Sequence, residues 1–414
     1  MLARRVRSRL AAVLIGLICL GSVMAQAEVS AGAHLRVALV TAAPGAIYWE
    51  RFGHNAILIE NTITGDSRLY NFGWFDFEQE NFMLNFARGR MQYMLAATDP
   101  LRDIAGYRAD DRSVWLQELN LDAQQKATLA ERLEFSALPE NANYRYDYYL
   151  NNCSTKVRDA LDEVLDGAMR KQSLGRGRGE SYRSLSLAYA RPIPWLAVGI
   201  HLGLGPAADR RVNFWEESFL PLRLRDLVAE TQVFDASGSA RPLVIAQRTL
   251  FAGARDDRVP AQPDWFWRFL TFGAVLAALV GLGLRSDRRA LRWSAALVAA
   301  GCSFSFGLIG LALAGLWWGT DHQIAWQNAN LWLFCPLAVL LAWPLWRLRR
   351  AQARTTTAAR VIAIVVLGIA LIVLTSVVLK LNPQSQADWL ALLLPWHLMV
   401  WLALAKPNAA TLAR

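Results

Sequence analysis

The sequence predicts an exported α+β domain followed by a helical membrane region of five spans. Three observations carry this reading: charge is divided unevenly along the chain, five long apolar stretches crowd into its last third, and an aromatic run turns into an amphipathic helix at a lone cysteine. The 414 residues hold 44 Lys and Arg against 34 Asp and Glu, a net charge of +10, with a mean hydropathy of +0.20. Such an excess of base fits a nucleic-acid binder, yet a positive mean hydropathy is unusual for a soluble chain this rich in charge. Counting by segment resolves the conflict. Residues 1–27 hold four Arg and no acid, residues 28–264 hold 27 basic and 31 acidic residues, and residues 265–414 hold 13 basic and three acidic, giving net charges of +4, −4 and +10. The excess belongs to the flanks, so no nucleic-acid partner is expected, and the middle region is large enough to bury its own core.

The flanks read as membrane segments. Arg4, Arg5, Arg7 and Arg9 precede an apolar run from Leu10 to Val23 and then Ala25-Gln26-Ala27, the order of a secretory signal peptide with cleavage expected after Ala27. The alternative, an uncleaved anchor, is disfavoured by a run shorter than the roughly 20 residues of a comfortable span. Cys19 follows Ile18 rather than a small residue, which argues against a lipoprotein cleavage site. Beyond Trp265 the apolar stretches run approximately from Phe269 to Leu284, Leu291 to Trp317, Leu331 to Leu345, Val361 to Leu379 and Trp389 to Ala405. The third is short and contains Pro336 and Pro344, which predicts a tilt, a kink or borrowed flanking residues. Arg285, Arg288, Arg289 and Arg292 follow the first stretch, and Arg347, Arg349, Arg350, Arg354 and Arg360 follow the third. The connections Gly319 to Asn330 and Leu381 to Asp388 contain no Lys or Arg. The positive-inside rule therefore places the latter, and residues 28–264, outside a bacterial inner membrane, with domains at 1–27, 28–264 and 265–414.

Cys302 and Cys335 lie in the expected spans, which leaves Cys153 alone in the exported domain with no intramolecular disulfide partner. It is either an inert buried thiol or a reactive one. Its surroundings favour reactivity. After Tyr144-Arg145-Tyr146-Asp147-Tyr148-Tyr149-Leu150-Asn151-Asn152, the sequence Cys153-Ser154-Thr155-Lys156-Val157 opens an amphipathic helix with Val157, Leu161 and Val164 on one face. Unpaired N–H groups and the positive dipole end at a helix N-terminus stabilise a thiolate and can hold an oxyanion, a role to which Asn152 and Ser154 contribute. Helix capping by Asn152 or Ser154 is the plainer reading of the polar pair, though it leaves the thiol unexplained.

A nucleophilic thiol needs a base, and the domain offers His34, His54 and His201. His54 stands in Phe52-Gly53-His54-Asn55-Ala56-Ile57-Leu58, where glycine precedes a β-rich stretch, so the imidazole is expected at a strand start facing the helix N-terminus. His34 and His201 read as structural or surface residues. Asn71, in Tyr70-Asn71-Phe72-Gly73, is the candidate that orients the His54 ring, with ordinary turn chemistry before glycine as the alternative. No His or Cys pair has metal-ligand spacing, so neither a metal nor a cofactor is expected. Gly175-Arg176-Gly177-Arg178-Gly179 reads as a flexible basic loop able to touch anionic head groups.

Phe52-Gly53-His54-Asn55, Asn71-Phe72-Gly73, Gly89-Arg90-Met91-Gln92-Tyr93, Leu119-Asn120-Leu121 and Asn152-Cys153-Ser154-Thr155 together resemble the DUF4105 family, the Lnb N-terminal periplasmic domain. The likeness continues through His322, Asn328-Ala329-Asn330-Leu331 and Pro336 in the membrane part. It implies a permuted papain-like (NlpC/P60-like) fold with His preceding Cys, and an acyltransferase that moves an acyl chain from the diacylglyceryl group of a lipoprotein to its N-terminal amine, leaving a lyso-form product. Its partners would be a phospholipid or lipoprotein acyl donor and acceptor in the membrane. His322, Asn328 and Asn330 form a second polar cluster on the side of Cys153, read either as a lipid head-group site or as helix caps. Two other classes compete: a cell-wall peptidase or amidase using the same dyad, which a single anchor would serve, and a membrane-tethered assembly module in which Cys153→Ala is silent.

Overall fold

The computed structural model describes residues 31–235, 237–255, 259 and 261–405, so the expected signal peptide and the tail with Lys406 and Arg414 lie outside the described residues. Among the described residues nine strands are present: β1 (Leu35–Ala42), β2 (His54–Asn61), β3 (Ser67–Trp74), β4 (Gln92–Thr98), β5 (Val114–Leu119), β6 (Asn143–Arg145), β7 (Gln232–Phe234), β8 (Ala240–Pro242) and β9 (Val244–Phe251). The α-helices before the membrane region are α1 (Phe82–Arg88), α2 (Pro100–Ala109), α3 (Ala123–Ser136), α4 (Cys153–Val164), α5 (Ala168–Ser173), α6 (Tyr182–Ala190), α7 (Pro194–Gly203), α8 (Phe214–Glu217) and α9 (Pro221–Glu230). Seven strands form one antiparallel sheet in the order β6-β4-β3-β2-β1-β5-β9, and β7 and β8 pair separately. This is the α+β class that the sequence predicts.

Strand β1 is apolar almost throughout because both faces of the sheet are covered. Val37 and Leu39 join Ile57, Ile59, Tyr70 and the α4 residues Val157 and Leu161 on one face. Ala38 and Val40 join Ala56, Leu58 and Leu116 on the other, against Tyr107 of α2. Helix α4 has the 3.6-residue period for this packing, and burying Val157 and Leu161 stabilises the fold by about 1.5–3 kcal/mol per side chain. The helix ends at Leu165, where Asp166 and Gly167 take positive φ values of 51° and 76° and turn the chain away.

Pairing of β2 with β3 runs from Glu60↔Ser67 to Ile57↔Tyr70 and then stops. Beyond that point, at one end of the sheet, His54–Ala56 and Asn71–Gly73 are no longer paired through their backbones. The N-terminus of α4 sits there: a Cβ added to Gly73, at φ 90°, would lie 3.3 Å from the Cys153 Cβ.

Among the described residues, five helices are long and apolar enough to cross a membrane: Phe266–Arg285, Arg289–Gly319, Asn330–Arg347, Thr357–Val378 and Ala387–Leu404. The third is broken into Asn330–Leu333, a 3₁₀ segment Pro336–Leu341 and Ala342–Arg347, the irregularity that its two prolines predict. Gly307 and Gly310 of the second span let it press against Val339 and the Phe334 carbonyl of this broken helix, where any side chain would clash. From Trp293 to Trp317 the second span rises about 36 Å, which suits a tryptophan at each interface of a bilayer.

The domain is seated directly on this bundle. Val198 and Leu202 of α7 pack with Leu333, Phe334, Trp389 and Leu390 of the spans. His201 lies between the rings of Trp265 and Trp389, with Nε2 3.1 Å from Asp388 Oδ2. Asp321, just beyond the second span, accepts from Arg90 and Arg145, and its own N–H donates to the Arg88 carbonyl.

Candidate active site

His54, the first residue of β2, alternates with Asn55 so that its ring faces α2 while Asn55 faces α4. His54 Nε2 is 3.0 Å from Asn71 Oδ1. The Asn71 amide nitrogen donates to Thr98 Oγ1 at 2.8 Å and to Asp103 Oδ2 at 2.9 Å, and Thr98 Oγ1 donates to the same carboxylate at 2.5 Å. A carboxylate only accepts, so the Asn71 nitrogen must face Asp103 and its oxygen must face the imidazole. His54 therefore carries its proton on Nε2, and Nδ1 keeps a bare lone pair. Burial pulls the His54 pKa down from 6.5 to about 4, against the opposing hydrogen bond from Asn71. The imidazole is neutral at pH 7.

Cys153 is the first residue of α4. Asn152 caps the helix: its side-chain oxygen accepts from the N–H groups of Ser154 and Thr155, both at 2.9 Å, and Thr155 Oγ1 accepts from the Asn152 N–H in return. The Asn152 amide nitrogen is anchored on the Tyr148 and Phe219 carbonyls. Ser154 Oγ donates towards Asn55 Oδ1 at 2.8 Å and the Ser218 carbonyl at 2.7 Å, and Asn55 in turn donates to Thr41 Oγ1. These buried contacts tie the helix start to β2. The sequence gives Asn152 and Ser154 to either an oxyanion or a cap, and the structure uses their side chains in capping and anchoring.

Burial pushes the Cys153 thiol up to about 11, opposed first by the backbone N–H of Asn55 and then by those of Ser154 and Cys153, with buried Arg112 acting in the same direction. The backbone N–H of the residue next to His54 thus favours the charged form of the sulfur. No hydrogen bond joins Cys153 to His54 among the described residues; both groups rest neutral, the thiol protonated and Nδ1 without a partner. Arg112 donates to the Ala43 carbonyl and lies over the Tyr107 ring, 4.9 Å from its centroid. Tyr107, Tyr144 and Tyr146 complete the surroundings of the thiol. Desolvation holds all three phenols protonated, and a charge on Cys153 would raise them further.

Asp103, Thr98, Arg112 and Asn55 are the members that sequence reasoning passed over. Asn55 had a signal, a polar residue inside an apolar strand run, whereas Asp103 looks like any acid in a first helical turn. Of the membrane-side candidates, His322 meets the tyrosine approach to Cys153, whereas Asn328 and Asn330 lie at the junction with the bundle. His322 Nε2 contacts the Phe86 carbonyl at 3.0 Å, and its ring stacks on Tyr148. Asn328 and Asn330 donate to the Leu202 carbonyl at 2.8 and 3.1 Å, so they cap the end of α7 at the junction. His34 serves through its carbonyl, which accepts from Thr62, and His201 belongs to the junction. The 175–179 loop is not a free basic patch. Arg176 pairs with Glu230, Arg178 with Asp226 and Glu217, and both guanidiniums lie over Phe214, so its charges are matched within the domain. A surface cavity beside Arg68 and Glu134 opens at the far end of β3 from Gly73 and takes no part in this site.

An α+β domain with a thiol at a helix start and a strand-borne imidazole oriented by an amide, seated on apolar helices long enough to cross a membrane, defines a multi-pass membrane protein with an α+β domain outside the bundle. The Lnb N-terminal periplasmic domain matches residues 25–186, and the Lnb transmembrane domain matches residues 262–407. Between them they cover most of the chain, which belongs to the Lnb family, and the α+β domain is its periplasmic part. No curated protein and no solved structure matches the chain.

Proposed function

We propose that the protein is a thiol acyltransferase of the inner membrane, moving an acyl chain between lipids or lipoproteins at the outer face through a thioester on Cys153. The observation that carries this reading is the contact of Asp321 and His322, just beyond the second span, with Arg90, Phe86 and Arg145, the last of these next to Tyr146 at the thiol. That position suits an ester and an amine presented at a bilayer surface better than a polymer distant from it.

His54 Nδ1 takes the thiol proton as the sulfur attacks the ester carbonyl. The neutral resting pair calls for proton transfer during attack rather than a standing thiolate. Negative charge moving from sulfur to the carbonyl oxygen stays among the backbone N–H groups of Asn55 and Cys153 and in the field of Arg112. The C–O bond then breaks, and the imidazolium returns its proton to the leaving alkoxide, so that a thioester and a free hydroxyl remain. An amine attacks the thioester, its proton passes to His54, and the C–S bond breaks to give an amide and regenerate the thiol. Asn71 and Asp103 act through His54, holding the tautomer that can accept the proton. His54 on a strand before Cys153 on a helix is also the permuted chain order that the family likeness implies.

Mass spectrometry of lipoprotein N-terminal peptides tests the reading in cells that lack their own N-acylating enzyme. Expression should convert diacylglyceryl, free-amine peptides into N-acylated lyso-forms, and Cys153→Ser should abolish the conversion. Unchanged peptides with folded protein present would overturn it, and muropeptide cleavage would point to a wall hydrolase.

A further inference from the structure

A chain of aromatic rings runs outward from Tyr146, beside Cys153, and much of its outer side is bare. Trp195, at the start of α7, contacts Tyr48 at 5.6 Å between centroids, and Tyr48 contacts Trp49 at 4.6 Å. Trp49 reaches Phe77 at 6.2 Å, and Phe77 reaches Phe75 at 4.9 Å. Phe75 meets Tyr93 at 5.1 Å, Tyr93 stacks on Tyr146 at 4.2 Å, and Tyr146 continues through Tyr148 to His322. Of the inner members Tyr146 lies beside the thiol, and the outer members are exposed, Trp195 at 64% and Phe77 at 58%. Helix α1 adds Met83 at 71% and Leu84 at 46%. Soluble surfaces rarely show so much contiguous apolar area.

The position of this surface tells what covers it. Helix α1 ends directly over the outer end of the second span: the Arg88 carbonyl accepts from Asp321, the Phe86 carbonyl contacts His322, and Gly89 is packed so closely on the 321–322 backbone that a Cβ there would lie 2.8 Å from the His322 nitrogen. At the other end of the chain of rings, Trp195 begins the helix whose Val198 and Leu202 pack into the bundle. Both ends are therefore fixed at the level of the outer bilayer interface. The exposed Asp76, Glu78 and Glu80 interrupt the rings of one loop, as on an interfacial segment with one wet and one apolar side.

Resting on the acyl-transfer reading of Cys153, we infer that the exposed surface from Trp195 through Phe77 to Met83 and Leu84 lies in the outer leaflet and holds the acyl chain of the donor lipid while its ester reaches the thiol. The class of donor is then a long-chain glycerolipid ester drawn sideways from the bilayer, not a short ester arriving from water.

Two measurements test this. The full-length Cys153→Ser protein is reconstituted in phosphatidylethanolamine–phosphatidylglycerol vesicles containing a phospholipid with a diazirine on its acyl chain, illuminated, and mapped by peptide mass spectrometry. Labels on Trp195, Phe77, Met83 or Leu84 as well as the spans are expected, and labels confined to the spans overturn the inference whether or not Cys153 is catalytic. In the Met83→Ser, Leu84→Ser, Trp195→Ser variant, the rate of Cys153 acylation by p-nitrophenyl palmitate relative to p-nitrophenyl acetate should fall about tenfold, as for loss of roughly 50–60 Å² of apolar contact. An unchanged ratio also overturns the inference. Absence of acylation by either ester in the wild type would instead refute the acyl-transfer reading and leave the labelling result to decide the surface.

Discussion

Replacing Asn71 by alanine separates orientation of the base from its mere presence. The side chain makes four contacts: to His54 at 3.0 Å, Thr98 at 2.8 Å, Asp103 at 2.9 Å and the Leu69 carbonyl at 3.3 Å. Removing it leaves Asp103 with Thr98 alone and His54 Nε2 without an acceptor. Taking about 1 kcal/mol for each of the three neutral hydrogen bonds and about 1.5–3 kcal/mol for the one to the carboxylate, the fold should lose about 4.5–6 kcal/mol. For catalysis the relevant part is the contact to His54. Once the ring can hold its proton on either nitrogen and rotate, a loss of about 2 kcal/mol in the attacking geometry slows acylation roughly thirtyfold. Asp103→Asn should give a similar slowing at a smaller cost in stability, because an amide at position 103 no longer dictates which way Asn71 faces. The assay is stopped-flow release of p-nitrophenol from p-nitrophenyl acetate, where the burst amplitude counts reactive thiols and the burst rate reports their activation. Wild-type amplitude with a reduced rate is expected. A burst rate within twofold of wild type in folded Asn71→Ala protein would refute the oriented-base reasoning.

Other outcomes follow from the same geometry. Because His54 is depressed to about 4, kcat/KM should stay level across pH 6.5 and fall only as the imidazole gains its proton near 4, which a pH profile on p-nitrophenyl acetate reads directly. The stability sign is fixed as well: the unfolded imidazole gains its proton below about 6.5 while the folded one resists to about 4, so about 3 kcal/mol present above pH 6.5 is lost on acidification through 4. Denaturant melts at pH 7 and pH 4 should differ less in His54→Ala. Gly73→Ala combines a left-handed backbone at φ 90° with a Cβ 3.3 Å from that of Cys153, so it should lower stability by about 1–2 kcal/mol and slow alkylation of Cys153 by iodoacetamide. Asp321→Ala removes the acceptor shared by Arg90 and Arg145, so transfer from vesicle-borne donors should fall while the p-nitrophenyl acetate burst is unchanged. Loss of both activities would place Asp321 inside the reacting site instead.

The membrane helices were legible because hydrocarbon demands uniform apolar length, and even the broken third span announced itself through Pro336 and Pro344. The start of α4 at Cys153 and the strand start at His54 were legible for similar local reasons, a cap followed by a 3.6-residue period and a glycine followed by a β run. What escaped are groups whose importance exists only after folding. Asp103 lies 32 positions from the amide it fixes, and Asp321 lies 231 positions from Arg90, so no local pattern marks either. The basic 175–179 loop misled for the complementary reason: its arginines look unpaired until α9 brings Asp226 and Glu230 beside them. The aromatic approach to Cys153 was visible as a run of tyrosines. Its continuation through Tyr93, Phe75, Phe77 and Trp49 to Trp195 is assembled from four separate segments.

The measurement closest to the central claim is the intact mass of the full-length protein quenched in acid during turnover with a diacylglyceryl lipoprotein in vesicles. The account predicts one added acyl group, mapped to Cys153, sensitive to hydroxylamine, discharged on addition of an acceptor amine and absent from Cys153→Ser. N-acylated product formed without an acyl group ever appearing on Cys153, or formed equally by Cys153→Ser, would contradict it.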